Sequence, residues 1–489
     1  MVWSIAGSDS GGGAGLQADL QALQAFGVHG CTAVAAITAQ NSVAVTRVDP
    51  VSAELLDAQL AALAADMPPA AIKTGLLGSI DNLRVVCRWV DRLRAQGQPV
   101  ALVVDPVLGS TTGAAFADAA LVQAYREELV PRATVVTPNR AEAQRLGLAL
   151  GSPLGAASVV ITGGDALDES GLASDWFSSP QASGWLSLPR VDTRHHHGTG
   201  CTFASTAAAA LASGYCVADA VVLAKMATTH ALRHAYAAGQ GAGPVCAQSD
   251  LALHANNLPW LQATPGTTPP FSPLIDAALG VYAVVDSVEW VARVLAAGIR
   301  TVQLRIKDAA APTLAQQVHA AVALARQTPG AQLFINDHWQ LALDAGAYGV
   351  HLGQEDLETV DLDALRRAGV RLGVSTHSYW EVARAWALRP SYMACGPVFA
   401  TQSKDMPWIP QGLDNLRYWA GVLPLPVVGI GGIGVAQMAE VAATGVASAA
   451  VISAITQAQD PEAACVALTA CFDRGRAASL VSKPDRFRS

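Results

Sequence analysis

The sequence predicts two successive α/β domains: a mainly parallel β-sheet covered by helices, followed by a (β/α)₈ barrel. The first observation is length, because 489 residues are too many for one ordinary core. The second is composition, because 51% of the residues are apolar but only 6% are aromatic. The third is that short apolar runs alternate with helically periodic segments on both sides of a Pro- and Thr-rich stretch, "TPGTTPPFSP".

In the N-terminal part, apolar runs predict strands and the periodic segments between them predict helices. The strands are expected at 2–6, 31–37, 101–104, 133–136 and 158–161, and the helices at 16–26, 52–65, 81–96, 117–129 and 201–213. Because the sheet is expected to be mainly parallel, ligands should bind beyond the carboxyl ends of its strands.

The composition changes between about residues 237 and 275, and we expect the main boundary near 262–275. A segment rich in proline cannot continue a helix or a central strand. The sequence therefore predicts a first domain at 1–245, a linker at 246–275 and a second domain at 276–480.

In the C-terminal part, eight evenly spaced apolar runs alternate with helical segments over roughly 200 residues. The runs lie at 281–285, 301–306, 332–335, 348–352, 370–375, 391–395, 426–429 and 448–452. Eight strands with even spacing favour a closed (β/α)₈ barrel, and an open doubly wound sheet is the alternative.

Charge and cysteine content exclude several classes of protein. The net charge is −8 and no block of like charges occurs, which disfavours nucleic acid and anionic membranes as partners. The eight cysteines form no C-x-x-C pair, which disfavours a zinc site and a disulfide scaffold. The N-terminus lacks a basic start followed by an apolar run, so it does not resemble a secretory signal. We expect a cytoplasmic enzyme that binds small molecules, and the sequence leaves open whether it is a homo-oligomer.

Two glycine-rich segments differ in what they predict. The first, "GSDSGGGAGLQADL", lacks the lysine of a Walker loop. The second, "HHHGTGC", leads from Gly198, Thr199 and Gly200 into an alanine-rich helix, so its backbone N–H groups are expected to form an anion hole for a phosphoryl group. Cys201 would lie at the helix N-terminus, where we expect the thiol pKa to fall and the thiolate to take a proton from a substrate hydroxyl.

Acidic residues follow two other predicted strands. Asp105 ends the run "VVDPV", and "TPNRAEA" places Asn139 and Glu142 in an N-x-x-E arrangement. This arrangement suits a hydrated Mg²⁺ beside phosphates, although each acidic residue alone is also typical of a helix cap.

The predicted barrel has polar residues at the ends of successive strands. Gln303, Arg305 and Lys307 alternate along one strand face, and two of them are cationic, which suits a polyphosphate. Asp337 and Asp356 follow neighbouring strands and could hold Mg²⁺ against a pyrophosphate. The remaining strand-end residues are Asn336, Ser375, Thr401, Ser403 and Lys404, followed by "GIGGI" (429–433) and "VISAI" (451–455) in the two loops that usually cradle phosphate. Without a strong general base, this layout favours a dissociative substitution with a departing pyrophosphate.

The motifs of the first half together resemble the bacterial hydroxymethylpyrimidine/phosphomethylpyrimidine kinases of thiamine synthesis. They are "AGSDSGGGAGLQADL", "AQN", "KTGLLGS", "DPV", "TPNRAEA" and "HGTGC". The resemblance implies a ribokinase-like fold, a pyrimidine pocket formed by Gly7, Asp19 and Gln40, and Cys201 as base beside Gly198 and Gly200. It also implies a region for ATP and Mg²⁺ at Asp105, Asn139, Glu142 and Thr162. Ser10-Gly11 and Thr162 depart from the common pattern, since many members carry a lysine at the latter position.

The second half resembles thiamine phosphate synthase almost continuously from about 281 to 457, through "VQLRIKD", "LFINDHW", "HLGQEDL", "LGVSTH", "GPVFATQSK" and "VISAITQA". The resemblance implies that pyrimidine pyrophosphate is bound by Gln303, Leu304, Arg305, Ile306, Lys307, Asn336, Ser375 and Lys404. It implies Asp337 and Asp356 as Mg²⁺ ligands. It implies that thiazole phosphate is bound by Thr401, Gln402, Ser403, Gly432, Ile452 and Ser453. Arg305, Lys307 and Lys404 would be the catalytic cations.

Together the two resemblances imply a bifunctional enzyme that uses ATP and Mg²⁺. The first half would phosphorylate hydroxymethylpyrimidine and its monophosphate, and the second would join the resulting pyrophosphate to thiazole phosphate. Two alternatives for the first half stay open: a pyridoxal-type kinase, and a pyrimidine sensor without catalytic activity.

Overall fold

The computed structural model describes residues 1–109, 116–150, 158–164, 170–308, 313–400 and 411–481. The chain divides into two compact units, Met1–Thr267 and Thr268–Ser489. Each unit is a separate α/β structure, and the predicted fold class, a helix-covered sheet followed by a (β/α)₈ barrel, is confirmed.

Within the described residues, the strands of the first unit form one ten-stranded sheet. They are β1 Val2–Asp9, β2 Gly30–Gln40, β3 Val45–Pro50, β4 Ala71–Thr74, β5 Ala101–Val104, β6 Val135–Val136, β7 Ser158–Ile161, β8 Leu172–Ser178, β9 Ser183–Pro189 and β10 Trp260–Gln262. Their order is β10-β9-β8-β7-β6-β5-β4-β1-β2-β3. The central strands β2, β1 and β4–β7 are parallel, whereas β3 and β8–β10 add antiparallel edges.

Seven α-helices of the first unit cover this sheet. They are α1 Gly15–Ala25, α2 Ala53–Asp66, α3 Ile80–Ala95, α4 Ala119–Ala124, α5 Arg140–Leu146, α6 Thr199–Ala212 and α7 Val217–Arg233, as counted over the described ranges. A π-helical turn, Tyr125–Leu129, continues α4, and 3₁₀ turns occur at Val130–Arg132, Leu251–Leu253 and Ala255–Asn257.

The alternation of side chains along β1 assigns the helices to the two faces of the sheet. Trp3 and Ile5 are fully buried and pack with Leu83 and Val86 of α3. Ser4 points to the other face, where its hydroxyl donates to Asp19 of α1. The second face is therefore the one on which α1 and α6 place polar groups beneath the strand ends.

The second unit is a closed barrel of eight parallel strands. The strands are β11 Gly280–Val285, β12 Thr301–Leu304, β13 Gln332–Asn336, β14 Gly349–Leu352, β15 Arg371–Thr376, β16 Tyr392–Cys395, β17 Val427–Ile430 and β18 Ser448–Val451. The helices are α8 Val288–Ala296, α9 Leu314–Gln327, α10 Trp339–Ala345, α11 Leu362–Arg367, α12 Tyr379–Leu388, α13 Gly412–Val422, α14 Val435–Ala443, α15 Ser453–Thr456 and α16 Pro461–Val481, with a 3₁₀ turn at Asp356–Glu358. All eight predicted strands are present, each within three residues of its expected bounds.

The predicted linker at 246–275 is not a free tether along its whole length. Its first part forms the two 3₁₀ turns and β10, and β10 pairs with β9 of the first sheet. Its last part contacts the second unit, because the backbone N–H of Phe271 donates to the carbonyl of Arg389. Pro- and Thr-rich composition correctly marked a change of unit, but it could not show that the flanking residues join the neighbouring folds.

Five strands of the first unit were not predicted: β3, β4, β8, β9 and β10. Polar residues interrupt their apolar pattern, and β4 carries the fully buried Lys73. No helix among the described residues is long and apolar enough to cross a membrane.

Candidate active sites

The opening glycine-rich loop is held by its own carboxylate. Asp9, at the end of β1, is buried and accepts N–H bonds from Gly11 (2.8 Å), Gly13 (3.1 Å) and Ala14 (2.9 Å). Burial alone would raise the pKa of Asp9, but the hydrogen bonds from His197, Gly11 and Ala14 outweigh burial and lower the pKa. Because Asp9 consumes these three amides, they are not available to cradle a phosphate.

The second glycine segment lies against the first. Gly198, the N-cap of α6, has φ = 87°, and a side chain there would collide with the carbonyl oxygen of Gly13. His197 is hydrogen-bonded to Asp9 at 3.1 Å and lies 3.1 Å from the Gln40 amide. The first-turn amides of a helix lack intrahelical acceptors, so α6 directs free N–H groups and the positive end of its dipole beyond this loop. The anion hole at Gly198–Cys201 stays a prediction, and the N-terminal position of these residues on α6 is compatible with it.

A buried ion pair lies behind this helix N-terminus. Lys73 of β4 is fully buried and donates to both carboxylate oxygens of Asp19, at 2.8 and 2.9 Å. The hydroxyls of Ser4 and Ser205 complete the shell of Asp19, at 2.6 and 2.8 Å. Burial alone would lower the pKa of Lys73, but attraction to Asp19, Cys201 and Asp105 together with the Asp19 hydrogen bonds outweighs burial and raises the pKa. Lys73 belongs to the motif "KTGLLGS", but the sequence analysis did not assign it a role, because a lysine inside a four-residue strand gives no signal of where it points.

Asp105 connects the ion pair to the anion hole. Its carboxylate lies 3.9 Å from Lys73 Nζ and 3.9 Å from the point at which a side chain on Gly200 would begin. Burial raises the pKa of Asp105 to about 6, against the attraction of Lys73 and with the repulsion of Asp19. The structure therefore brings Asp105 and Lys73, from adjacent strands, close to Gly200 in the first turn of α6.

The prediction that the Cys201 thiol has a lowered pKa is wrong. Burial raises the pKa to about 12, and repulsion from Asp19 and Asp105 acts in the same direction. Lys73 and the Gly15 amide lower the pKa, but not enough to offset burial. The sequence showed the helix N-terminus but not the carboxylates beneath it.

The three residues expected in the pyrimidine pocket have different environments. Gln40 is half-buried at the end of β2, and Gly7 packs against Leu76, where a side chain would come within 3.1 Å. Asp19 has no exposed surface and is fully occupied by Lys73 and two serines. Asp19 therefore cannot line open space, and it holds Lys73 in place instead.

Asn139 and Glu142 form a helix cap. The Asn139 side chain accepts from the Glu142 amide at 2.9 Å, and Glu142 Oε2 accepts from the Asn139 amide at 3.0 Å. Glu142 Oε1 accepts the N–H of Leu108 at 3.2 Å. Because both carboxylate oxygens already bind backbone amides, the structure does not support Glu142 as a direct Mg²⁺ ligand.

Thr162 lies beside this cap and forms an isolated parallel β-bridge with Asn139. The next amide, that of Gly163, donates to Asp175 at 2.8 Å, and Asp175 pairs with Lys225 at 2.8 Å. Lys225 and Asp175 are both buried. Lys225 is therefore committed to fixing this strand end and does not replace the cation that related kinases carry at the Thr162 position.

A further group of metal-ligating side chains lies on α7 and the 3₁₀ turns. Asp250 accepts from His230 at 2.9 Å and from His254 at 3.0 Å. Asn257 donates its Nδ2 to the Leu251 carbonyl and to His230 Nδ1, which leaves the His230 proton on Nε2, the atom that faces Asp250. The group is satisfied by hydrogen bonds, and His230 presents no lone pair to a metal.

The mouth of the barrel contains two adjacent carboxylates. Asp337, at φ = 60°, follows β13, and Asp356 opens the 3₁₀ turn after β14. Desolvation in the mouth, then repulsion from and hydrogen bonding with Asp356, raise the pKa of Asp337 to about 6, although the residue stays accessible. Arg305 and His338 oppose this shift. Two carboxylates that repel each other beside open space fit a divalent cation, so these residues suit Mg²⁺.

The other residues expected around the ends of β12 and β13 differ in their exposure. Gln303 and Asn336 are buried at the strand ends, Arg305 is half-buried, and Lys307 is exposed. The Leu304 side chain is buried, and by strand alternation it points away from the face that carries Gln303. A contact from Leu304 to a ligand in the mouth would therefore come from its backbone, whereas Ile306 lies beyond the end of β12 and its carbonyl accepts a hydrogen bond from His338.

A row of hydrogen bonds crosses the barrel interior between Gln303 and Ser375. Its intermediate members are Tyr282, Tyr392 and His351, none of which the sequence analysis identified. Burial, together with the charge of Arg305, lowers the pKa of His351 to about 4, so its ring is neutral. Ser375 is also fixed through its carbonyl, which accepts from the Gln354 side chain at 2.7 Å.

The predicted thiazole phosphate site is described in part. Gly432, at φ = 67°, follows β17, and a side chain there would approach the Ala400 carbonyl within 2.6 Å. Ile452 and Ser453 follow the neighbouring strand β18 at the start of α15, and β17 pairs with β18. The structure thus places these three residues at adjacent strand ends. Thr401, Gln402, Ser403 and Lys404 lie outside the described residues.

Replacing Lys73 with methionine should destabilise the first unit by about 3–5 kcal/mol, because it leaves the Asp19 carboxylate buried without a counter-charge. Thermal or denaturant unfolding of the full chain measures this. The double variant Lys73→Met/Asp19→Asn should recover part of the loss. Arg47→Ala, which breaks the exposed Arg47–Asp49 pair on β3, is the control and should change little. An unchanged midpoint for Lys73→Met would contradict the assignment.

Mg²⁺ should stabilise the second unit more at pH 7.5 than at pH 5. The pKa of Asp337 is raised, so without metal the native state holds a proton that the unfolded chain has already lost, and stability falls as the pH rises from about 4 through about 6. Mg²⁺ replaces that proton and offsets the repulsion between the carboxylates. The measurement is the shift in Tm on adding Mg²⁺ at each pH.

Asp337→Asn should abolish this pH-dependent response to Mg²⁺, whereas Asp344→Asn on the exposed side of α10 is the matched control and should retain it. A Tm shift of equal size at both pH values would rule out Asp337 as the group that Mg²⁺ binds.

Two different families match the two halves of the chain. Residues 9–246 match the family described as phosphomethylpyrimidine kinase, and residues 281–455 match the family described as thiamine monophosphate synthase. The thiamine-phosphate synthase of Serratia proteamaculans strain 568 is 57% identical over 198 residues, which are 40% of this chain and 92% of that protein. A solved structure of the Staphylococcus aureus pyridoxal kinase in complex with AMP-PCP and pyridoxal is 31% identical, covers 50% of this chain and 91% of that chain, and has a TM-score of 0.44.

One relative spans both halves. The probable thiamine biosynthetic bifunctional enzyme, chloroplastic, of Oryza sativa subsp. japonica is 35% identical over 482 residues, which cover 93% of this chain and 85% of the rice protein. This chain therefore belongs to the family of bifunctional thiamine biosynthetic enzymes, with a phosphomethylpyrimidine kinase domain followed by a thiamine-phosphate synthase domain.

Proposed function

We propose that the first domain transfers phosphoryl groups from Mg-ATP to 4-amino-5-hydroxymethyl-2-methylpyrimidine and then to its monophosphate. The second domain joins the resulting pyrophosphate to thiazole phosphate, which gives thiamine phosphate and inorganic pyrophosphate. The observation that carries this proposal is the Asp337–Asp356 carboxylate pair beside Arg305, because it combines a site for a divalent cation with a fixed positive charge at one barrel mouth.

In the kinase domain, backbone amides provide most of the stabilisation of the transferred phosphoryl group. The N–H groups of Gly200 and Cys201 donate hydrogen bonds to the oxygens of the transferred phosphoryl group and so stabilise the negative charge that spreads over them. Lys73 neutralises the two carboxylates behind them, so that Asp19 and Asp105 do not repel the incoming phosphate. Asp105, at the strand end nearest Gly200, is the carboxylate best placed to face Mg-ATP.

The role of Cys201 as base has to be reconciled with its raised pKa. Little thiolate forms at neutral pH, and Lys73 is the side chain that favours what does form. Phosphoryl transfer passes through a loose transition state in which the attacking hydroxyl needs no strong base. We therefore assign Cys201 to contact with the reacting oxygen and expect its removal to slow the transfer.

In the synthase domain, the residues separate two negatively charged groups. Arg305 and Lys307 stabilise the growing charge of the departing pyrophosphate, while Gly432 and Ser453 present backbone amides to the thiazole phosphate. Mg²⁺ held by Asp337 and Asp356 would supply further charge neutralisation on the pyrophosphate. Asn336 and Ser375 donate hydrogen bonds from the ends of β13 and β15, and the thiazole nitrogen captures the pyrimidine-methyl cation between the two groups. We retain Lys404 as a third cation by the resemblance.

ATP as the donor is supported by solved relatives. The pyridoxal kinases of Staphylococcus aureus have been solved with ADP and with AMP-PCP. Cytoplasmic location and any self-association stay predictions of the sequence.

A coupled assay tests the proposal. With the pyrimidine alcohol, thiazole phosphate, ATP and Mg²⁺, the wild-type chain should form thiamine phosphate. Cys201→Ala should lower the kinase step at least tenfold but leave the synthase step intact when pyrimidine pyrophosphate is supplied directly. Asp337→Asn should leave the kinase step intact and accumulate pyrimidine pyrophosphate.

The matched controls are Cys216→Ala, another half-buried cysteine at a helix N-terminus, and Asp344→Asn. Pyridoxal in place of the pyrimidine alcohol tests the first alternative, and faster phosphorylation of pyridoxal would make the domain a pyridoxal-type kinase. Wild type and Cys201→Ala that both bind the pyrimidine and are equally inert with labelled ATP would show that the domain is a sensor.

A further inference from the structure

Five polar side chains from five strands form one continuous chain of hydrogen bonds inside the barrel. Gln303 Nε2 lies 3.2 Å from the Tyr282 hydroxyl, which lies 2.9 Å from the Tyr392 hydroxyl. The Tyr392 hydroxyl lies 2.7 Å from His351 Nδ1, and His351 Nε2 lies 2.8 Å from Ser375 Oγ. The chain thus joins β12 to β15 through β11, β16 and β14.

Stability alone does not explain this chain. Tyr282 and Tyr392 belong to the apolar core of the barrel, where they pack edge-on against each other, while Phe334 lies edge-on to Tyr392 and tilted against Tyr282. Their exposed fractions are 1% and 0%, so each hydroxyl must be paired to offset its desolvation. Phenylalanine at both positions would fill nearly the same volume without that cost, so what the hydroxyls add is a fixed connection between Gln303 and Ser375.

The chain has only two self-consistent directions. A hydroxyl donates one proton, and a neutral imidazole has one donor and one acceptor nitrogen, so each member passes on the direction that it receives. In the first direction, Gln303 donates into the chain through Nε2 and keeps Oε1 as an acceptor. His351 Nε2–H then donates to Ser375, whose own proton stays available for a ligand.

In the second direction every bond is reversed. Gln303 accepts from Tyr282 through Oε1 and keeps its N–H groups for a ligand. Ser375 then donates to His351 and offers a ligand only a lone pair. What Gln303 presents to a ligand at one end of the chain therefore determines what Ser375 presents at the other end.

We infer that this chain couples recognition of the pyrimidine to departure of the pyrophosphate. An amino group of the pyrimidine that donates to Gln303 Oε1 selects the first direction, and Ser375 then donates its proton to a pyrophosphate oxygen. Tyr282, Tyr392 and His351 are positioning residues that act through Ser375. The inference rests on the proposed function of the second domain, since it takes Gln303 and Ser375 as ligands of the pyrimidine pyrophosphate.

The coupling should appear mainly in kcat. The hydrogen bond from Ser375 strengthens as negative charge grows on the departing pyrophosphate, so it stabilises the transition state more than the bound substrate. A break in the chain lets the Ser375 hydroxyl rotate freely. KM should then change little.

The experiment is a double-variant cycle on the synthase reaction of the full chain, with pyrimidine pyrophosphate supplied directly. Tyr392→Phe should lower kcat about tenfold, the effect of losing one hydrogen bond, with less than a threefold change in KM. In a Ser375→Ala background, Tyr392→Phe should change kcat less than twofold, because its target hydroxyl is already gone.

A substrate analogue gives a second readout that a purely structural role would not move. A carbonyl in place of the amino group selects the second direction, so wild type should use this analogue poorly. Tyr392→Phe should discriminate between the two substrates about tenfold less than wild type, because Gln303 and Ser375 are no longer linked.

Tyr348→Phe is the matched control. It also removes a barrel tyrosine hydroxyl with two hydrogen-bond partners, Ile275 and Gln332, but those partners lie at the opposite end of the strands. Its kcat should stay within twofold of wild type. If Tyr392→Phe fails to fold, Tyr282→Phe cuts the same chain one link earlier and takes its place in the cycle.

The possible results distinguish a failure of the proposed function from a failure of the coupling. A wild-type chain that forms no thiamine phosphate would overturn the proposed function. An active wild type in which the effects of Tyr392→Phe and Ser375→Ala simply multiply, or in which Tyr348→Phe is as slow as Tyr392→Phe, would overturn the coupling alone.

Discussion

The cost of gathering like charges at the ends of parallel strands governs both domains. The carboxyl ends of neighbouring strands meet at one edge, so polar residues that follow them are forced together. In the first domain the charges are balanced internally, because Lys73 lies between Asp19 and Asp105. In the second domain Asp337 and Asp356 face each other, and desolvation followed by repulsion from Asp356 raises the pKa of Asp337 although Arg305 opposes the shift. The first arrangement is complete without a ligand, whereas the second favours the arrival of a cation.

Hydrogen-bond partners distinguish the glycines and acidic residues that stabilise the fold from those that stay available to a ligand. Asp9 takes three amides of the opening loop, and Glu142 takes the amides of Asn139 and Leu108. Both are acidic residues beside a motif that resembles a phosphate-binding loop, and both already accept hydrogen bonds from backbone amides. The amides at the start of α6 are the ones that a helix cannot satisfy internally, which supports the proposed phosphoryl site at Gly198–Cys201 over one at the glycine-rich start of the chain.

The sequence predicted the barrel better than the first domain for a physical reason. Strands buried on both faces are short apolar runs, and all eight barrel strands match that pattern. β4 carries Lys73, and β8 and β9 carry inward-facing serines and Asp175, so their apolar pattern is broken and they were missed.

The lowered pKa expected for Cys201 was wrong because helix position is visible in a sequence, whereas burial among carboxylates is not. The chain from Gln303 to Ser375 was not found because Tyr282 and Tyr392 are 110 residues apart and meet only when the barrel closes.

We propose that the Asp337–Asp356 pair binds a divalent cation that acts on a pyrophosphate. Crystals of the full chain grown with Mn²⁺ and inorganic pyrophosphate test it directly, because Mn²⁺ replaces Mg²⁺ at oxygen ligands and scatters anomalously. We expect an anomalous peak within about 2.0–2.3 Å of oxygens from both carboxylates, with the pyrophosphate between the ion and Arg305. Pyrophosphate bound at the barrel mouth with no peak between the two carboxylates would contradict it.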